Sequence, residues 1–214
     1  MTLEIKNGSM RTEAGQLFAD VNFSVSSGQI VCIQGTRQSG KTSLLRALMG
    51  FEPLSEGFIS IDGELLTVQS AHSFRRLIGY VPQHAQLPFA TMNQMLAELS
   101  ALKANHVNLP DAPNTQRLST LLQLTGLPAT MADQPLATLS SGQNYRLALV
   151  AVAMLNKKIV LVDEPATPLD SAAAQMVDHF LHELASVGAA VVAVSTDELF
   201  AQSCNRTIVL HSPS

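Results

Sequence analysis

Two rhythms of apolar positions divide the chain. Near the start, Leu3, Ile5, Val21, Phe23 and Val25 alternate with polar residues, the period of half-buried strands. A Ser27-Gly28 turn then leads into Gln29-Ile30-Val31-Cys32-Ile33-Gln34, an unbroken apolar run of mostly β-branched residues. Such a run suits a strand covered on both faces, with Cys32 acting as a small hydrophobe. Leu44, Leu45 and Leu48 fall at helical spacing over 41–49, and Gly50 is a natural stop. Residues 58–61 followed by Asp62-Gly63 read as a strand and hairpin turn, and 77–81 as a strand ended by Pro82. From 84 to 155 the pattern becomes helical. Met92, Met95, Leu96 and Leu99 make one stripe, Leu118, Leu121, Leu122 and Leu124 another, with a polar, proline-containing loop at 105–114 between them. Strand patterns return at 159–162, 189–194 and 207–210, with a helix over 172–186. Alternating strands and helices predict a parallel α/β sheet, and the block at about 84–155 predicts a helical insertion within it.

The 214 residues suffice for one domain with an inserted subdomain. Only 14% are charged, against about 25% in an average soluble domain, which predicts surface covered by a partner. A net charge of −4 argues against binding nucleic acid by phosphate neutralisation. No apolar run reaches the roughly 18 residues of a membrane span, and the N-terminus has no signal-peptide core. Cys32 and Cys204 make no disulfide framework. A cytoplasmic location is the expectation.

The strongest local signal is Gly35-Thr36-Arg37-Gln38-Ser39-Gly40-Lys41-Thr42, which fits G-x-x-x-x-G-K-[ST] at every fixed position. The glycines let successive backbone N–H groups turn inward on phosphate oxygens, and the helix that follows adds its positive end. Lys41 then reaches the β and γ phosphates, the Thr42 hydroxyl ligates Mg²⁺, and Ser43 adds a contact to the α phosphate. Arg37, at a variable position, reads as solvated. A second signal is the apolar run 159–162 ending in Asp163-Glu164. A strand tip beside a phosphate loop brings Asp163 to the Mg²⁺ shell. Strand alternation sends Glu164 to the opposite face, where it orients or deprotonates an attacking water.

With these motifs the chain resembles the ABC ATPases, the nucleotide-binding subunits of ABC transporters. Leu139-Ser140-Ser141-Gly142-Gln143 is similar to the family's LSGGQ signature. Gln83, after Tyr80-Val81-Pro82, matches the Q-loop glutamine, and Thr167-Pro168-Leu169-Asp170 matches the D-loop. The resemblance implies a P-loop NTPase fold: a RecA-like parallel-sheet core, an antiparallel β subdomain and an inserted helical subdomain. It implies ATP and Mg²⁺ as ligands, with Gln83 beside Thr42 and Asp163 at the metal. It also implies a head-to-tail dimer with a second cassette, identical or different. There Ser140, Ser141, Gly142 and Gln143 face the partner's ATP, and Asp170 lies in the D-loop. A separate integral membrane permease, with this chain peripheral on the inner face of the membrane, completes the expectation. The permease's coupling helix would dock near Met92 and Met95, although a Met stripe more often belongs to a core. The chain stops soon after 207–210, which implies none of the C-terminal regulatory domains that some importers carry. A DNA-maintenance ATPase would need coiled-coil arms or a basic surface, and neither is present.

The sequence departs from the family at three places. Thr196, in Val194-Ser195-Thr196-Asp197, stands at the switch histidine, and threonine reaches less far and carries no charge. Slowed hydrolysis with ATP binding retained is the expectation, as is the alternative of a regulatory cassette that binds ATP and pairs with a catalytic one. Thr12 aligns with the aromatic that often stacks adenine, while Phe18 reads as core. Weak base selectivity follows, with ATP and GTP within roughly tenfold. Ser141 replaces the first signature glycine, which is tolerated where φ stays negative. His84, and His179 with His182, read as solvated.

Overall fold

A computed structural model describes residues 1–13, 15–103, 105 and 114–210. Most of the predicted polar loop at 105–114 lies outside the described residues. In chain order the elements are β1 (Thr2–Thr12), β2 (Gly15–Ser26), β3 (Ile30–Gln34), α1 (Lys41–Leu48), β4 (Glu56–Ile61), β5 (Glu64–Leu65), α2 (Ala71–Leu77) and β6 (Ile78–Val81). There follow α3 (Met92–Ala101), α4 (Thr115–Leu124), α5 (Ser141–Met154), β7 (Ile159–Asp163), α6 (Ser171–Ser186), β8 (Ala190–Ser195), α7 (Glu198–Ser203) and β9 (Arg206–Val209). Two short 3₁₀ turns, Ala129–Asp133 and Leu136–Thr138, precede α5.

The alternating segments pair as their period demands. In the β1–β2 hairpin Leu3 lies opposite Val25 and Ile5 opposite Phe23, and all four are buried. β4 adds to the far side of β1, and β5 follows through Asp62-Gly63. Both turn residues have positive φ, 49° and 82°, as a two-residue type I′ connection requires. The antiparallel sheet thus has the order β2-β1-β4-β5.

The continuous apolar runs form a second sheet of five parallel strands, β6-β7-β8-β3-β9. Its residues alternate between two cores. Val31, Ile33, Ile159, Leu161, Val192 and Val194 join the core that includes α1 and the antiparallel sheet. Ile30, Cys32, Val160, Val162, Val191 and Ala193 join the core built with the helices. Burial on both faces is why these strands carry no polar alternation. Cys32 is fully buried there, as its reading as a hydrophobe predicts.

α1 ends where Gly50 predicts. Gly50 takes φ 70°, its N–H bonds to the Ala47 carbonyl at 2.9 Å, and the Phe51 N–H bonds to the Arg46 carbonyl at 3.0 Å. This Schellman pair satisfies two orphan carbonyls. Between β6 and β7 the regular elements among the described residues are all helical: α3, α4, the two 3₁₀ turns and α5. Met92 and Met95 are buried in the helical core, at 0% and 1% exposure, so they make no external docking groove. The large exposed apolar side chains Phe51, Phe58 and Val68 instead line a groove of about 450 Å³ between α1 and β4. The short helices α2 and α7 give no clear periodic signal.

Candidate active site

The C-terminal ends of β3, β7 and β8 and the end of β6 open onto one cleft of about 640 Å³. Its lining includes Arg37, Gln38, Lys41, Thr42, Ser43, Gln83, His84, Asp163, Glu164 and Thr196. Residues from four strand ends, far apart in sequence, are therefore brought together as the motifs predict.

The loop Gly35–Gly40 curls over the start of α1. Gly40, the residue capping α1, has φ 85°, and no side chain accepts from the first helical N–H groups. A Cβ there would lie 3.1 Å from Leu17 and Phe18. Gln38 also takes a left-handed φ, 67°, which is uncommon without glycine. A Cβ on Gly35 would run into the Ser39 hydroxyl, and that hydroxyl is buried with no hydrogen-bond partner. Lys41 folds back: its Nζ donates to the Gly35 and Thr36 carbonyls at 2.8 and 2.9 Å and lies 3.5 Å from Glu164 Oε1.

Asp163 is buried at the tip of β7, and its Oδ2 accepts from the Thr42 hydroxyl at 2.9 Å and from Tyr80 at 3.5 Å. Burial raises its pKa, and the Thr42 hydrogen bond opposes that rise. Burial beside Asp163 pushes the Tyr80 phenol up to about 12. The expectation that Glu164 faces away from Asp163 is wrong. Glu164 takes φ 47°, leaves the strand and turns its carboxylate into the same cleft. There Oε2 accepts from the Thr196 backbone N–H at 3.0 Å, the Thr196 hydroxyl at 3.1 Å and the Thr167 hydroxyl at 3.4 Å.

The Thr42 hydroxyl, the Asp163 carboxylate and the Gln83 amide offer hard oxygen donors of the kind Mg²⁺ takes. The orphan Ser39 hydroxyl inside the loop fits a phosphate oxygen. Thr12 is exposed and outside the cleft lining, and Phe18 is fully buried in the core. Leu17, packed against Gly40, forms part of the cleft wall, and no Phe, Tyr or Trp lines the cleft among the described residues. His84, read as solvated, is exposed but lines the cleft. His179 and His182 sit on α6 beside Glu183 and Asp178 at 3.9 and 3.7 Å, and no group of three potential metal ligands forms among the described residues.

The signature residues lie outside this cleft, at the start of α5. Ser140 caps the helix: its hydroxyl accepts from the Gln143 N–H at 3.2 Å, and the Gln143 side chain accepts from the Ser140 N–H at 2.9 Å. Ser141 has no positive φ, so serine sits there without strain. A Cβ on Gly142 would lie 2.9 Å from the Pro168 carbonyl, which packs the signature against the D-loop. Asp170 caps α6, accepting from the Ala173 N–H at 2.8 Å.

A family model described as ABC transporter matches residues 18–167. The chain belongs to the ABC transporter family. The cassette is 32% identical over 186 residues to the sulfate/thiosulfate import ATP-binding protein CysA of Bacillus cereus, covering 86% of this chain and 51% of that protein. It is 31% identical over 197 residues to the Fe(3+) ions import ATP-binding protein FbpC of Streptomyces coelicolor, covering 92% and 55%. It spans about half the length of these curated relatives. Among solved structures, the dimeric bacterial ABC transporter cassette MJ0796 superposes with a TM-score of 0.81 at 26% identity, covering 97% of this chain and 94% of that one. The cassette fold, with its parallel and antiparallel sheets, is thereby the one the motifs imply.

Sequence reasoning missed Leu17 and Tyr145, and it placed Thr167 only in the D-loop match, not against Glu164. Leu17 looks like an ordinary strand residue. Tyr145 carried one signal: it is one of only two tyrosines in the chain.

Proposed function

We propose that the chain is the ATP-binding and ATP-hydrolysing subunit of a membrane transporter, one ABC domain over 1–214 with a helical insertion at about 84–155. The convergence of Lys41, Thr42, Gln83, Asp163, Glu164 and Thr196 on one cleft carries this reading. The loop N–H groups and the end of α1 receive the ATP phosphates, and Lys41 leaves the loop's own carbonyls to meet them. Thr42, Asp163 and Gln83 would hold Mg²⁺, which when bound neutralises phosphate charge. Glu164 accepts a proton from the attacking water, and Thr196 fixes that carboxylate. Ser140, Ser141, Gly142 and Gln143 meet the ATP of a second cassette, with Asp170 at the same junction. The relatives' names support an importer-like assembly with a permease. No helix among the described residues is long and apolar enough to cross a membrane, so a separate permease would hold this chain on the inner face. The aliphatic Leu17 in place of a stacking ring supports weak selection between ATP and GTP.

One observation favours the second reading, a regulatory cassette with little turnover. Glu164 Oε2 already accepts three hydrogen bonds from Thr196 and Thr167, so that oxygen is engaged by the protein itself rather than left open to a water. The test is steady-state ATP hydrolysis with Mg²⁺ across protein concentration, beside Glu164→Gln and Thr196→His. Turnover that rises more than linearly and vanishes in Glu164→Gln supports the motor. ATP binding without turnover above that control supports the regulatory cassette. The idea that Thr196 slows hydrolysis fails if Thr196→His does not raise turnover.

A further inference from the structure

The chain has two tyrosines, and both hydroxyls converge on one residue. Tyr80 approaches the Asp163 carboxylate, and Tyr145 donates to the Asp163 backbone carbonyl at 3.3 Å. Tyr145 is fully buried and lies on α5, five residues beyond the signature serine.

The sheet shows why that carbonyl needs a partner. β6 ends at Val81, opposite Val162, and the chain turns away at Pro82. β7 runs one residue further, with Asp163 opposite Val194 of β8. Asp163 therefore projects past its β6 neighbour, and a buried carbonyl left unpaired is costly. The Tyr145 hydroxyl supplies the missing donor. On the other side, the Glu164 N–H donates to the Val194 carbonyl at 2.9 Å. The Asp163–Glu164 peptide is thus held at both of its polar groups. Directly after it, Glu164 takes φ 47°, a conformation that persists only where its surroundings impose it.

We infer that Tyr145 is a positioning residue for the reaction: its hydroxyl sets the Asp163–Glu164 peptide and ties it to the helix that begins at the signature. This rests on the function proposed above. It assigns no contact with ATP to Tyr145. It predicts that the hydroxyl governs how well Asp163 serves the metal and Glu164 serves the water, while the phosphate loop stays intact.

Tyr145→Phe removes the hydroxyl and keeps the ring. The measurements are titration with a fluorescent ATP analogue in EDTA and in Mg²⁺, steady-state hydrolysis, and the thermal midpoint. Affinity in EDTA is expected to stay within about twofold, Mg²⁺-induced tightening to shrink roughly fivefold, and kcat to fall roughly tenfold, the scale of one buried hydrogen bond. A variant whose Mg²⁺-induced tightening matches the parent overturns the assignment, whatever its kcat. So does one that loses affinity equally in EDTA and in Mg²⁺ with a lower midpoint, because that is the mark of a packing role. A parent that binds the analogue but never turns over defeats the hydrolytic reading alone; the Mg²⁺ titration still decides the role of Tyr145.

Discussion

Two helices of the cassette begin at the motifs we propose to meet phosphate, and they begin differently. α1 starts at Gly40, which has no side chain and leaves the first N–H groups of the helix unclaimed. α5 starts at Ser140, whose hydroxyl and partner Gln143 close a complete capping box. The first end is stabilised only when a ligand arrives, whereas the second is stable by itself. Ser140 still keeps its hydroxyl proton for donation. The contrast fits the proposed roles, ATP capture at the α1 end and a later, partner-dependent contact at the α5 end.

Substitutions at the two ends sharpen that contrast. Lys41→Ala has the largest expected effect: nucleotide affinity falls roughly hundredfold, because a charge-assisted contact to phosphate is lost. Fluorescent-nucleotide titration of the isolated chain measures it. Gly40→Ala comes next. It forces alanine into left-handed φ at a cost of about 1–2 kcal/mol, and its Cβ meets Leu17 and Phe18 at 3.1 Å. The same titration should show a loss of roughly tenfold. Ser140→Ala is the smallest. Losing the cap costs about 1 kcal/mol, a fall of roughly 2–4 °C in the thermal midpoint, with single-chain nucleotide affinity unchanged. If affinity drops with it, the two ends are not independent and the comparison breaks.

Much of the site was readable because its residues are fixed by local chemistry. A phosphate loop needs glycine at Gly35 and Gly40 whatever the rest of the chain does, and a strand ending in Asp163-Glu164 is visible in one dimension. The paired strands followed from period two, and the parallel ones from unbroken apolar runs. What escaped was set in three dimensions. The direction of Glu164 depends on a positive φ that no residue type announces. Leu17 reaches the cleft only because the β1–β2 hairpin packs against Gly40. The role of Tyr145 depends on β7 outrunning β6 by one residue. Met92 and Met95 face inward, as a Met stripe more often does, because α3 packs against the 3₁₀ turn Ala129–Asp133 and α5; what periodicity does not reveal is which elements cover them.

The parallel sheet has a further consequence. Each of its central strands sends alternate side chains into two different cores, so neither core can open without stripping one face of the other's wall. Melting should then be a single event, and the amides of β3, β7 and β8 should exchange with solvent together as one slow class.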